Sequence, residues 1–118
     1  MKLPNRDQAY LPAAKLRDYL LSPTHAVGRT KAKFFGEFGF NKSNVGSLES
    51  GLLAIARIED VTDVTTTPYG VKYVVDGSLP TPMGIEVKVR TVWIIETGEE
   101  RPRFVTAHPR PKQEGGSD

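Results

Sequence analysis

The apolar positions of this chain change their spacing once, near Val61, from a helical period to a strand period. Before that point Leu16, Tyr19 and Leu20 recur at helical spacing between Pro12 and Leu21. Pro12 suits a first helical turn, and Ser22-Pro23 stops the run. A second helix is predicted from about Val27 to Phe38, with Gly39 as its C-terminal stop. A third runs from about Asn44, its N-cap, to Ile58, with Val45, Leu48, Leu52, Ile55 and Ile58 as the buried stripe. Residues 1 to 11 carry no period, and Leu3, Pro4 and Tyr10 are expected to pack as an extended lead-in.

After Val61, Thr and Val dominate and turn residues come at intervals. Tyr69 to Leu79, Ile85 to Glu96 and Arg101 to His108 read as three strands, reversed at Pro80-Thr81-Pro82-Met83-Gly84 and at Thr97-Gly98-Glu99-Glu100. Val61 to Thr67 adds a short polar strand fit only for a sheet edge. The expected fold is α+β: about three N-terminal helices packed on a C-terminal antiparallel meander of three to four strands. Residues 1–109 form one domain, and 110–118, rich in Pro, Lys, Gly and Ser, form a flexible tail. Helices first and strands afterwards disfavour alternating βαβ units. No Gly-x-Gly-x-x-Gly follows a strand, and no phosphate loop ending in Gly-Lys-Ser/Thr is present.

Composition narrows the chemistry. A chain of 118 residues with 38% hydrophobic and 25% charged positions suits one folded domain. The absence of cysteine removes disulfides, thiolate metal sites and cysteine nucleophiles, and a reducing compartment, the cytoplasm, is expected. The start, Met-Lys-Leu-Pro-Asn-Arg-Asp, has no apolar stretch of signal-peptide length, and no later run approaches a membrane span. Charge is uneven: residues 1–44 carry eight Lys/Arg against three Asp/Glu, and residues 45–118 carry eight against eleven. A net +5 facing a net −3 suits an anionic partner near the helical half, although a solvated basic face would look the same.

The second helix holds the densest chemistry. Turning by about 100° per residue places Lys31, Phe34, Phe35 and Phe38 on one side. A lysine inside an apolar stripe needs a partner or a route to water. Either its stem lies on the phenylalanines with the amine in solvent, or the amine reaches an anion in a cleft between helix and sheet. Arg29 and Lys33 lie one turn apart on another side, and His25 extends that row if the helix begins early. Backbone N–H groups at the helix start converge on the same place, so the group could grip a phosphate.

His25 and His108 are the two histidines, and each is a candidate for proton transfer near neutral pH. In the last strand Phe104, Thr106 and His108 share one face by the two-residue period. Arg90 joins Thr106 and His108 only if the turn sets an even-sum register, such as 90 opposite 108; a one-residue slip sends it to the other face. Glu86, Lys88 and Arg90 alternate with Ile85, Val87 and Val89, a half-exposed polar face that binds either RNA or water. No metal-ligand spacing and no Gly-x-Ser-x-Gly occurs. Metal-free chemistry remains, with a base, an acid and cations around a phosphate, and no cofactor is expected.

Lys2-Leu3-Pro4-Asn5, Asp18-Tyr19-Leu20-Leu21, His25-Ala26-Val27-Gly28-Arg29-Thr30-Lys31-Ala32, Tyr73-Val74-Val75-Asp76, Val89-Arg90-Thr91-Val92-Trp93-Ile94 and Arg101-Pro102-Arg103-Phe104-Val105-Thr106 together resemble a widespread bacterial family described as a domain of unknown function. The resemblance spans Leu3 to Pro109. Such domains look like members of the barnase, EndoU, colicin and RelE superfamily of metal-independent ribonuclease toxins. The family pattern runs His-Pro-Val-Gly-Arg-x-Lys-Ala in the helix, then Arg-x-x-Trp and Thr-x-Tyr in the strands. His25, Gly28, Arg29, Lys31, Arg90, Trp93 and Thr106 fall on it, whereas Ala26 replaces the usual proline and His108 the expected tyrosine.

The resemblance implies a ribonuclease toxin that cleaves RNA by 2'-hydroxyl attack on the adjacent phosphate. His25, Lys31, Arg90, Thr106 and His108 would be its catalytic residues, and Arg29, Lys33 and Lys88 would hold RNA phosphates. One histidine would act as base, with the other or Lys31 as acid. Lys31, Arg29 and Arg90 would stabilise the phosphorane and Thr106 would orient a phosphate oxygen. Trp93 reads as core in preference to a base-stacking platform. An acidic antitoxin or immunity protein would be the neutralising partner. Two alternatives stay open: a non-catalytic binding module (immunity protein, antitoxin or adaptor), and an enzyme acting on a phosphorylated metabolite.

Overall fold

Eleven consecutive residue pairs join the two longest strands without a slip, and the rest of the molecule is arranged around that ladder. The computed structural model describes residues 1–16 and 28–110, and the side chains of these except 28–32. Four antiparallel strands, β1 (Val61–Thr67), β2 (Gly70–Pro80), β3 (Glu86–Glu96) and β4 (Arg103–Pro109), form one sheet in the order β1-β2-β3-β4. This is the expected meander. The β2–β3 turn is closed by Thr81, whose N–H and hydroxyl both donate to the Ile85 carbonyl at 3.0 and 2.7 Å.

Two α-helices stand among the described residues, α1 (Gly28–Glu37) and α2 (Val45–Ile58), against about three expected. Of the first expected helix, residues 13–16 are helical and 17–21 lie outside the described residues. Gly39, at φ 94°, adopts the left-handed conformation expected of a helix stop. Asn44 precedes α2 but does not cap it with its side chain. Instead Asn41 and Asn44 cap each other across the short 3-10 turn Lys42–Asn44, and the Asn44 amide donates to the Gly39 carbonyl at 2.9 Å.

α2 buries Leu48, Leu52 and Ile55 against the sheet. Gly77 permits the approach, because a β-carbon there would meet Ile55 at 2.9 Å. Ile58, expected in the buried stripe, is 64% exposed: the helix ends there and the chain turns into β1. On the sheet's inner face Val75, Leu79, Val89, Trp93, Phe104 and Ala107 join Phe35, Phe40 and the lead-in residues Leu3 and Leu11 in one core. The lead-in also closes an edge, since Tyr10 accepts from Phe104 N–H and donates to the Pro102 carbonyl, both at 3.0 Å. Arg101 stacks its guanidinium 4.1 Å from the Tyr10 ring centre.

β3 and β4 pair with one irregularity. Val89 to Val92 face Pro109 back to Thr106, then Trp93 faces Phe104, so Val105 is an extra residue. That bulge corrects the expected face of Phe104. The strict two-residue period puts Phe104 beside Thr106 and His108, but the bulge turns it inward, fully buried with its ring edge-on to Trp93 at 5.3 Å. Arg110 N–H bonds to the Lys88 carbonyl at 3.1 Å, and the rest of the expected tail, 111–118, lies outside the described residues.

One buried polar chain lies in this core. The Trp93 indole N–H donates to Thr91 Oγ1 at 2.8 Å, and the Thr91 hydroxyl donates to the Val75 carbonyl at 2.6 Å. Thr91→Val keeps the shape but leaves the buried indole without its acceptor, which costs about 1–3 kcal/mol. Urea unfolding of this variant is expected to show that loss with an unchanged m-value; wild-type stability would show the pair to be dispensable.

Candidate functional site

Alternation along β3 sends Thr91 and Trp93 into the core and Arg90 and Val92 to the opposite face. Two registers then decide what Arg90 meets: β2 places Asp76 opposite it, and β4 places His108 opposite it on the other side. The 90-to-108 pairing is an even-sum register, the kind that Arg90 needs to share a face with His108. A row of acid, guanidinium and imidazole therefore crosses three strands. Thr106 stands opposite Val92 on the same face, and Lys88 is exposed two residues from Arg90.

The Arg90–Asp76 contact is a fork: Nε donates to Oδ1 at 2.9 Å and Nη2 to Oδ2 at 3.0 Å. Asp76 retains only 8% of its side-chain exposure, whereas Arg90 retains 35%. Arg110, on the face of His108 and two residues further along, brings its Nε to 3.4 Å from the same Oδ2. The hydrogen bond to Asp76 raises the pKa of Arg90 above the ordinary arginine value, against the effect of desolvation, with smaller help from the charges of Asp76 and Asp63. Arg90 is thus a fixed cation. His108 Nδ1 lies 3.1 Å from the Pro109 carbonyl. A proton on Nδ1 would satisfy that contact and leave Nε2 as the ring's base.

Thr106 Oγ1 is buried, and no hydrogen-bond partner for it exists among the described residues. A buried hydroxyl without a partner carries a desolvation cost. Among the described residues no three His, Asp or Glu side chains come together in a set able to hold a metal ion.

The strand residues of the expected site, Lys88, Arg90, Thr106 and His108, come together on one face. Of the helical ones, His25 lies outside the described residues, as do the side chains of Arg29 and Lys31. The backbone places Lys31 on α1 one turn before Phe34 and Phe35, whose rings meet edge to face at 5.0 Å. Lys33 is exposed. Trp93 lies in the core and offers no stacking platform. Sequence reasoning missed Asp76 and Arg110. The signal for Asp76 was the turn itself, because a hairpin centred on Met83 pairs 76 with 90.

A groove of about 720 Å³ runs between α2 and the end of β2, lined by Ser47, Ser50, Gly51, Ile55 and Pro80 among others. None of the strand residues of the expected site lines it.

The family model described as "Domain of unknown function (DUF6883)" matches residues 2–111, and the chain belongs to that family. No curated protein matches the chain. Among solved structures, it is similar to a chain of the "Contact-dependent growth inhibition toxin - immunity protein complex" from Klebsiella pneumoniae 342, at 17% identity and a TM-score of 0.70, over 91% of this chain and 97% of that one. At that identity the likeness is one of fold.

A double-mutant cycle built from Asp76→Asn and Arg90→Met is expected to give a coupling of about 1 kcal/mol in folding stability, as hydrogen-bonded neighbours do. The cycle of Asp76→Asn with Arg110→Met should give less, because its contact is longer and single. Equal or reversed couplings would show that the fork is not the main interaction of Asp76.

Proposed function

We propose that this member of the domain-of-unknown-function family is a metal-independent endoribonuclease, the toxin of a toxin-antitoxin or related conflict pair. The observation that carries the reading is the pairing of Arg90 with His108 on one sheet face, beside the exposed Lys88 and a Thr106 hydroxyl that has no partner among the described residues. Two further points support it: the residue pattern resembling ribonuclease toxins, and a fold shared with a chain from a toxin–immunity complex.

In this mechanism the ribose 2'-oxygen attacks the adjacent phosphorus while a base removes its proton. The bond from phosphorus to the 5'-oxygen breaks, and an acid protonates that oxygen. The products are a 2',3'-cyclic phosphate and a 5'-hydroxyl. His108 supplies one proton transfer through Nε2, and His25 or Lys31, from the helix side, supplies the other. Arg90 balances the charge that builds on the phosphorane, with Arg29 and Lys31 adding to it, and the Thr106 hydroxyl donates to a non-bridging oxygen. Lys33 and Lys88 hold flanking phosphates. A toxin of this kind needs a neutralising protein, and an acidic surface would suit the cationic face.

One observation favours a second reading, a non-catalytic binding module. β1 is an outer strand whose central residues, Thr62 to Thr66, are all exposed, an edge to which another chain can add a strand. The two readings part in one assay. Purified wild type in excess chelator is expected to cleave RNA to cyclic-phosphate ends. His108→Ala, His25→Ala and Lys31→Met should each slow cleavage about 100-fold or more while melting as the wild type does. Intact RNA with folded wild type, together with harmless overexpression, would sink the nuclease and leave the binding module.

A further inference from the structure

Arg110 falls on no position of the family pattern, yet it ends on the same carboxylate oxygen as Arg90. Two guanidiniums repel each other, and one arginine already engages both oxygens of Asp76 and balances its single charge. The second is therefore surplus to the ion pair. It is also held in place, because Arg110 N–H continues the ladder to Lys88 and keeps the residue on the face of His108. Each guanidinium has five N–H donors, most donors of both have no partner among the described residues, and each side chain is about one-third exposed. The acids facing the pair are Asp76 beneath it and Asp63, whose charge reaches Arg90 from β1. Lys88 and His108 lie on the same face.

We propose that Asp76 gathers Arg90 and Arg110 into a two-arginine clamp for the nucleic-acid backbone, in which Arg110 holds a phosphate next to the one Arg90 engages. The proposal deepens the ribonuclease reading and rests on it for the identity of the substrate. Asp76 is a positioning residue: it touches no substrate and fixes the planes of two forks that do. Arg110 adds affinity and register along the strand, and takes no part in proton transfer. Arginine suits the task because its planar fork grips two phosphate oxygens at once.

The test uses a single-stranded deoxyribo-oligonucleotide, which has no 2'-hydroxyl and cannot be cleaved by this route. Its affinity for the full chain is measured across a salt series. For single strands the log–log slope changes by about 0.7 for each phosphate that the protein ceases to neutralise. Arg110→Ala is expected to reduce the slope by about that amount, and Arg90→Ala likewise. Arg57→Ala, which removes an exposed charge from α2, should leave it unchanged. In RNA cleavage, Asp76→Asn should lower kcat about tenfold with KM unchanged or lower, whereas a purely structural Asp76 would lower the melting temperature and leave kcat alone. Wild type that does not bind, or Arg110→Ala with the slope of Arg57→Ala, overturns the clamp. Salt-dependent binding without RNA cleavage sinks the nuclease and keeps the clamp.

Discussion

The ladder between β2 and β3 is the constraint on which the polar face depends. Its register never shifts over eleven pairs, so the turn at its end, set by Thr81 and Ile85, determines which residue of β2 stands opposite Arg90. One residue more or less in that turn would bring Val75 or Gly77 there in place of Asp76. It would also send the acid into the core beneath α2. A hairpin turn thus specifies an electrostatic partner at the far side of four residue pairs.

The same alternation gives the Arg-x-x-Trp spacing a physical meaning. Three residues apart on a strand lie on opposite faces, so Arg90 points away from the core and Trp93 into it. The Trp93 indole is tied through Thr91 to the Val75 carbonyl, and Val75 is the residue before Asp76. The core side of the sheet therefore locks β3 to β2 at the point where, on the other side, Arg90 meets Asp76. Packing and polar contacts share one pair of strands, which limits how far the fork can drift without loosening the core.

Much of this is legible in the sequence. β1 runs over the seven residues expected of it, and α1, α2 and the other strands lie within two residues of their expected ends, because hydrophobic period and turn residues mark such segments clearly. The meander follows from short links, and the Arg90–His108 pairing belongs to one of the two register parities that the strand pattern leaves open. The bulge at Val105 is not legible. Arg103 to Thr106 is a run of ordinary strand residues, and only tertiary pairing tells which of them is extra. Phe104 takes the inner position because burying its ring against Trp93 outweighs one disrupted rung. Arg110 escapes sequence reasoning for a related reason: it sits one residue past β4 as an unremarkable charge, and its convergence with charges from β2 and β3 has no local signature.

The two edges of the sheet are treated differently, and this bears on how such a domain meets a partner. At β4 the lead-in supplies backbone bonds through Tyr10, with the Arg101 guanidinium over its ring, so that edge is occupied beside Phe104. At β1 the lead-in reaches only the first residues, where Lys2 pairs with Asp60 and the Met1 carbonyl accepts from Val61 N–H. Beyond Val61 the strand runs on exposed. A partner that adds a strand at β1 joins the sheet two strands away from Arg90, with β2 and its Asp76 in between. Such a protein could bind tightly through backbone hydrogen bonds yet leave the cationic face open. One that neutralises the face by charge must instead lie across β3 and β4. Edge pairing is nearly insensitive to salt, whereas charge pairing across an exposed face weakens as salt is added. The salt dependence of a complex therefore discriminates between the two modes of attachment, and only the second one blocks the row of Asp76, Arg90 and His108.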